Sequence, residues 1–290
     1  MTQLDKRTNA FRNDLAASAL KGQVNAERFV DPCVMYVSVA SLCLRGCPDL
    51  TASQTSELLF GQQVHVFELE GKWAWLQSCE DEYVGYALVE GLTKHCAAAT
   101  HHITTTLAPV FSLPNLKSPL YQPINRLGLN SKLIIDRYEG DFANLHQGGW
   151  IYNKHLSPLA ETQASPLEVA KAFIGSPYVW GGNGYWGLDC SGLVQLSMLA
   201  CGIPAPRDAD MQEACLGTDI INWESPDNRK AGDLIFWKGH VGLLADNNKV
   251  LHSNASAMKV TLDDFDELRA SILEKEGNDI SRIKRLNLGD

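Results

Sequence analysis

The sequence predicts an α+β protein in which short β-strands come first and a mixed region of helix and strand follows. Between residues 31 and 158, brief runs of β-branched and aromatic residues alternate with turn residues. After Cys190, apolar residues recur at helical spacing, and two strand-like runs then flank the turn Asp246-Asn-Asn. Strands and helices therefore concentrate in different parts of the chain, which is typical of the α+β class.

The first 160 residues divide into a lead-in and two similar β-rich units. Residues 1–30 are predicted to be a charged helical lead-in, with Leu4, Phe11 and Leu15 as its apolar positions. Strand patterns follow at 34–39, 63–67, 73–76 and 84–88, and again at 133–136, 142–145 and 149–152. The two sets align at an offset of 69 residues, pairing Val64 with Leu133, Gly71 with Gly140, Trp73 with Phe142 and Leu76 with Leu145. This repeat predicts two small β-barrels, at 31–97 and 98–158.

The last domain, at 159–290, is predicted to begin with a helix near Ser165-Pro-Leu-Glu and to contain a reactive cysteine. Cys190 follows the glycine-rich loop 176–184 and opens the apolar helical run. On the first turn of a helix, a sulfur faces unpaired N–H groups and the positive end of the helix dipole, and both favour the thiolate. The sequence therefore predicts a nucleophile with a lowered pKa. The alternative is a small buried core residue.

Two histidines, His240 and His252, are the only ones that follow Cys190. Each lies in a strand-like run, at 239–244 and 249–253, and the turn between them predicts a β-hairpin. If that turn is three residues centred on Asp246, the two side chains lie opposite each other on one face. A cysteine and a histidine oriented by a third polar group form the nucleophile and base of thiol peptidases.

Five motifs, in this order and at this spacing, resemble those of the NlpC family of bacterial cell-wall peptidases. They are Tyr178-Val-Trp-Gly-Gly, Leu188-Asp-Cys-Ser-Gly-Leu-Val194, Pro206-Arg-Asp-Ala-Asp-Met-Gln212, Ala231-Gly-Asp-Leu-Ile-Phe-Trp237 and Gly239-His-Val-Gly242. The resemblance implies a papain-like catalytic domain that cuts peptidoglycan stem peptides between γ-D-glutamate and the following diamino acid. The two β-rich units resemble the bacterial SH3-like barrels that commonly precede this peptidase.

The resemblance also implies roles for individual residues. Cys190 would be the nucleophile, His240 the base and His252 the group that orients the base, while Tyr178 would lie beside the oxyanion site with the backbone N–H of Cys190. Asp189 would help to hold the free amine of L-Ala, unless it serves only as a helix cap. The other residues expected to contact substrate are Trp180, Ser191, Arg207, Asp208 and, from the first SH3-like domain, Tyr83, with Tyr86 and Glu57 as further candidates. For Tyr83 the alternative is surface packing.

Composition limits the class of partner. The net charge of −9 makes nucleic acid an unsuitable partner, and no apolar run approaches the roughly 20 residues of a membrane span. The eight cysteines are scattered and show no zinc-binding spacing. Scattered free thiols suit a reducing compartment, and the charged first 14 residues lack a hydrophobic signal core, so we expect a cytoplasmic protein. The expected function is therefore cofactor-free hydrolysis of recycled murein fragments. A wall-binding protein with an inert peptidase domain, and a thiol acyltransferase or amidase that acts on lipid, are the alternatives.

Overall fold

The computed structural model describes residues 4–94 and 98–287. Cys96, one of the eight cysteines, lies outside the described residues. The described chain forms two compact units, which divide between Glu161 and Thr162. No helix in either described range is long and apolar enough to cross a membrane.

The segment before residue 31 does not form the predicted helix. It contains two short parallel strands, β1 (Leu15–Ala17) and β2 (Arg28–Val30), and a single 3₁₀ turn at Ser18–Leu20. Leu15 packs with Trp75 in a small apolar cluster, and the Arg12 guanidinium lies 4.4 Å from the Trp75 ring centroid. Packing against the following sheet thus overrides a weak helical spacing that is interrupted by Asn13 and Asp14.

A seven-stranded antiparallel sheet forms the first β-rich unit, with strand order β5-β4-β8-β7-β6-β3-β9. Its strands are β3 (Cys33–Val37), β4 (Ser41–Arg45), β5 (Gln54–Leu59), β6 (Gln63–Glu70), β7 (Trp73–Ser78), β8 (Val84–Leu88) and β9 (Leu92–Thr93). The four strands predicted in this region are present, whereas β4, β5 and β9 had no prediction. Alternate side chains along the strands, including Leu44, Val64 and Leu76, are buried together in one hydrophobic core.

Three small antiparallel sheets follow, of two or three strands each. Their strands are β10 (His101–Ile103), β11 (Leu107–Pro109), β12 (Arg126–Gly128), β13 (Lys132–Leu133), β14 (Ile135–Glu139), β15 (Phe142–Leu145), β16 (Trp150–Tyr152) and β17 (Leu156–Pro158). The hairpins β6–β7 and β14–β15 turn at Gly71 and Gly140, both with positive φ, at the positions that the repeat aligned. A third strand, a 3₁₀ turn and a short strand then follow each hairpin in the same order.

The second unit places a helix against a six-stranded sheet. The helices are α1 (Pro166–Lys171), α2 (Cys190–Ala200), α3 (Ala209–Cys215) and α4 (Phe265–Glu276), and a 3₁₀ turn spans Pro226–Asn228. As predicted, α1 begins after Ser165, whose hydroxyl accepts from the Glu168 N–H. The strands β18 (Asn183–Gly184) and β19 (Gly187–Leu188) pair with each other before α2.

The sheet of this unit has the order β20-β25-β21-β22-β23-β24. Its strands are β20 (Thr218–Asp219), β21 (Leu234–Trp237), β22 (His240–Leu244), β23 (Lys249–Asn254), β24 (Lys259–Asp264) and β25 (Arg282–Arg285). Helix α2 is buried along most of its length and contacts β22 and β23. The first residue of α2 and the first residue of β22 are therefore brought to the same edge of the unit.

Candidate active site

Cys190 is the first residue of α2, and its backbone is locked in place by the glycine-rich loop. Asp189 caps the helix, because its Oδ1 accepts from the Gly192 N–H at 2.7 Å. A β-carbon on Gly192 would lie 2.2 Å from the Gly182 carbonyl oxygen, so the loop backbone and the helix touch directly. Only glycine permits this approach, which explains the small residue after the Cys-Ser pair.

Cys190, His240, His252 and Tyr178 line one cavity of about 540 Å³ in the second unit. The opposite wall is formed by α4 and by the turn that follows β23. The sequence prediction that these four residues share a site is consistent with this placement. The residues predicted to be the nucleophile, the base and the orienting histidine thus line a space large enough for a peptide.

A chain of hydrogen bonds extends from the base. His240 Nε2 lies 2.7 Å from His252 Nδ1, and His252 Nε2 lies 2.8 Å from Asp263 Oδ2. The Thr261 hydroxyl donates to the same Asp263 oxygen at 2.9 Å. Because Nε2 of His240 is engaged, Nδ1 is the ring nitrogen left to exchange a proton with a thiol.

Asp263 was not predicted from the sequence. It lies on β24, where Thr261 is paired with His252 and Asp263 is two residues further along the same face. The alternation of polar residues at 261 and 263, directly after the histidine hairpin, was the available signal. It was missed because no motif includes that strand.

The register of the histidine hairpin differs from the prediction. Leu243 pairs with Leu251 and Leu244 with Val250, which centres the turn on Asn247 rather than Asp246. His252 is therefore diagonal to His240 instead of opposite it. The two side chains still share a face, because the shift moves the pairing by two residues and preserves the alternation of the strands.

The predicted lowering of the cysteine pKa is wrong. Burial, followed by the charge of Asp189, raises the pKa of Cys190 to about 11. Backbone N–H groups of Val241 and Ser191 donate toward the sulfur and oppose this rise without overcoming it. Burial, with His252 as the second cause, lowers the pKa of His240 to about 3. The free site therefore holds a neutral thiol and a neutral imidazole, so formation of a thiolate requires removal of the thiol proton.

Tyr178 lies at the mouth of the same cavity. Its backbone N–H donates to the Met258 carbonyl at 3.0 Å, which ties the loop before Cys190 to the turn after β23. Burial and the nearby Cys190 raise the pKa of Tyr178 to about 12. The phenol therefore stays protonated at neutral pH and is available as a hydrogen-bond donor, as an oxyanion site requires.

Asp189, Ser191 and Arg207 form a buried polar network behind the nucleophile. Arg207 binds Asp189 through two hydrogen bonds of 2.6 and 2.9 Å, and it donates to the Ser191 hydroxyl at 2.9 Å. Asp189 Oδ2 also accepts from the Gly181 N–H at 2.9 Å. Both oxygens of Asp189 already accept from protein donors, and its role in holding a substrate amine stays a prediction. Its first roles are helix cap and partner of Arg207.

The remaining predicted contact residues are Trp180 and Asp208 in the second unit and Tyr83, Tyr86 and Glu57 in the first. Trp180 is 67% exposed and does not line the cavity, and Asp208 occupies the N-cap position of α3. In the first unit, Tyr83 is buried in the core of the seven-stranded sheet rather than packed on its surface. Glu57 is also buried and accepts from the Ser41 hydroxyl, while the Tyr86 hydroxyl accepts from Arg12 at 2.9 Å. Their assignment to the substrate stays a prediction.

Gln212 is a further structural residue that sequence reasoning left without a role. Its side chain is fully buried, and its amide donates to the Ser191 and Pro206 carbonyls at 2.9 Å each. These bonds join α3 to the first turn of α2. Gln212 thereby supports the position of the nucleophile from the side away from the cavity.

Comparison with known proteins identifies the families of two regions of the chain. The NlpC/P60 family matches residues 175–276, and the bacterial dipeptidyl-peptidase Sh3 domain matches residues 44–92. The fold is similar to a crystal structure of an NlpC/P60 family protein from Bacillus cereus, with a TM-score of 0.70, 19% identity and coverage of 87% of this chain and 99% of that chain. The family match contains Cys190, His240, His252 and Asp263.

Two curated relatives are similar in sequence. A gamma-D-glutamyl-L-lysine dipeptidyl-peptidase from Bacillus subtilis is 28% identical over 76% of this chain and 78% of its own length. A probable endopeptidase NlpC from Escherichia coli is 32% identical over 38% of this chain and 75% of its own length. With the motifs, the fold and the cavity around Cys190, these matches establish that the chain belongs to the NlpC/P60 family of peptidases and carries a bacterial SH3 domain.

Proposed function

We propose that this protein is a cysteine endopeptidase that hydrolyses the γ-D-glutamyl–diamino acid bond of murein stem peptides with a free N-terminal L-Ala. The observation that carries the proposal is the arrangement of Cys190 and His240 in one cavity, with His240 bonded to His252 at 2.7 Å. This arrangement matches what thiol peptidases need: a nucleophile, a base and a group that orients the base.

The proposed reaction is acyl transfer from the amine to the sulfur and then to water. His240 takes the Cys190 proton as the sulfur attacks the amide carbon, and the resulting imidazolium protonates the leaving amine. The Tyr178 hydroxyl and the backbone N–H of Cys190 stabilise the oxyanion. A water molecule then attacks the thioester while His240 accepts its proton, which releases the acid and restores the thiol.

The diamino acid is proposed from the chemistry of the cavity wall and from the named relative. Helix α4 places Glu267 and Glu276 along the cavity that contains Cys190, and neither carboxylate forms an ion pair with another described residue. A side chain that ends in an ammonium group can pair with either one. The similarity to a gamma-D-glutamyl-L-lysine dipeptidyl-peptidase supports the same substrate class.

The free amino terminus is the finer part of the proposal. A dipeptidyl-peptidase, as the relative is named, releases two residues from a chain end, so it has a reason to recognise that end. Asp189 and Tyr83, with Tyr86 and Glu57 as further candidates, are the residues predicted to contact the L-Ala terminus. We further propose that the protein acts in the cytoplasm on recycled fragments, and that residues 98–158 form a second SH3-like barrel, which the repeated order of elements supports.

The test is a mass-spectrometric digest of three substrates: L-Ala-γ-D-Glu-L-Lys, the same peptide acetylated at L-Ala, and intact sacculi. We expect release of L-Ala-γ-D-Glu from the free peptide, roughly ten to a hundred times faster than from the acetylated one, as the loss of one charge-assisted hydrogen bond implies. Cys190→Ala should be inactive, and Cys201→Ala, at the other end of α2, is the matched control. Digestion of sacculi at an equal rate would contradict the free-terminus proposal while leaving the peptidase intact. Binding to sacculi without cleavage of any substrate would favour a wall-binding protein.

A further inference from the structure

Asp263 lies in contact with the orienting histidine and outside the motifs that define the family resemblance. Its carboxylate is 2.8 Å from His252 Nε2, and the side chain of His252 is only 2% exposed. A histidine in this orienting position is ambiguous, because a neutral imidazole can present either nitrogen as donor or as acceptor. The residue bonded to its far nitrogen decides which form it takes.

We propose that Asp263 is a positioning residue that fixes the tautomers of both active-site histidines. An ionised carboxylate can only accept, so the hydrogen of neutral His252 must lie on Nε2. Its Nδ1 then carries a lone pair and accepts from His240 Nε2 at 2.7 Å. His240 consequently presents an unprotonated Nδ1, which is the form that can take a proton from Cys190.

The surroundings of Asp263 hold it in the accepting role. The Thr261 hydroxyl donates to Asp263 Oδ2 at 2.9 Å, and the Asn254 amide donates to that hydroxyl at 2.7 Å. The hydrogen bond from His252 lowers the pKa of Asp263, which keeps the carboxylate ionised. Asn254 Nδ2 lies 3.3 Å from His252 Nε2. An amide nitrogen donates and does not accept, so it cannot stabilise a hydrogen on Nε2, and Asp263 is the acceptor that does.

The removal of Asp263 has a distinct expected effect on catalysis. In Asp263→Ala, the hydrogen of His252 can lie on Nδ1 and be donated to His240 Nε2. The hydrogen of neutral His240 then lies on Nδ1, and that nitrogen can no longer accept the Cys190 proton. We expect kcat to fall about 10- to 100-fold, which corresponds to the loss of one charge-assisted hydrogen bond. Asp263→Asn should lose less, since its amide oxygen can still accept.

The direct test is ¹⁵N nuclear magnetic resonance of the full-length protein labelled at histidine, without substrate. Signals are assigned with His240→Asn and His252→Asn. We expect the wild type to carry hydrogen on Nε2 of both rings, and Asp263→Ala to show a mixture of tautomers. The matched control is Asp264→Asn, which removes the adjacent carboxylate, does not contact His252 and keeps a good cap on α4.

The outcomes separate this inference from the proposed function, on which its catalytic part rests. Unchanged tautomers in a folded Asp263→Ala protein would overturn it even if the murein peptide is cleaved. A doubly protonated His252 in the wild type would also overturn it, because that ring would donate to His240. If Asp263→Ala does not fold, the same spectra of Asp263→Leu decide, because leucine is close to aspartate in shape and also lacks an acceptor. Shifted tautomers would support it even if the substrate class is wrong.

Discussion

The burial of His240 predicts that the second unit loses stability in mild acid. The pKa of the imidazole falls from 6.5 to about 3, because burial and then His252 disfavour its charge. The unfolded chain takes up this proton near pH 6.5, whereas the folded chain does not until the pH is near 3. Stability is therefore lost as the pH falls through that window, by about 1.4 kcal/mol for each pH unit. At pH 5 the free energy of unfolding should be lower by about 2 kcal/mol than at pH 7 from this residue alone.

The perturbation is His240→Asn, which cannot titrate. We expect its second unit to lose about 2 kcal/mol less than the wild type between pH 7 and pH 5. Hydrogen exchange of peptides from α2, β21 and β22 reports on this unit separately from the first one. Wild type and variant are compared at the same pH, so the intrinsic exchange rate cancels. His146→Asn, at an exposed position in the first unit, is the control.

If wild type and His240→Asn lose equal protection between pH 7 and pH 5, the folded protein accepts the proton as readily as the unfolded chain does. His240 would then not be held neutral by burial. The interpretation of the resting site as a neutral thiol–imidazole pair would be wrong with it.

Further predictions concern the nucleophile, the two histidines and the buried ion pair. Cys190 should react with iodoacetamide at neutral pH more slowly than exposed cysteines, because its raised pKa keeps it in the unreactive thiol form. Above pH 9 the unfolded thiol ionises while the folded one stays protonated, so the protein loses stability. Cys190→Ser should reduce that loss. In a peptidase assay His240→Ala should be inactive, whereas His252→Asn should retain part of the kcat because an amide oxygen can still accept from the base. Arg207→Met should lower the free energy of unfolding by about 3–5 kcal/mol in urea titrations, because Asp189 stays buried without its charge partner. Fast alkylation of Cys190 would contradict its raised pKa, and equal kcat in the two histidine variants would contradict their separate roles. An Arg207→Met protein as stable as the wild type would contradict the importance of the buried ion pair.

The cavity wall offers one more test. Glu267→Gln should raise KM for a peptide with L-Lys after the scissile bond and leave KM unchanged for one with norleucine there, because only the ammonium group gains from the carboxylate. Glu274→Gln, an exposed position on the same helix that does not line the cavity, is the control. An equal KM for both peptides in the wild type would show that no carboxylate of α4 binds the ammonium group of the diamino acid.

Local sequence determined much of this protein. The strands at 73–76, 84–88 and 142–145 and the helix after Cys190 were predictable because side-chain periodicity and turn residues are local properties. The motifs identified the family, and they predict Cys190 as nucleophile and His240 as base, because the order of residues in a motif is a local property of the chain.

Tertiary structure decided what depends on surroundings. The segment before residue 31 forms strand and turn because Leu15 packs in one apolar cluster with Trp75, which is distant in sequence. The pKa of Cys190 rose instead of falling, because burial outweighed the helix dipole and the depth of burial is not readable from neighbours in sequence. Asp263 joined the site only through the pairing of β23 with β24. Sequence fixes which groups are present, but packing sets their dielectric environment and their distances, and these determine what the groups do.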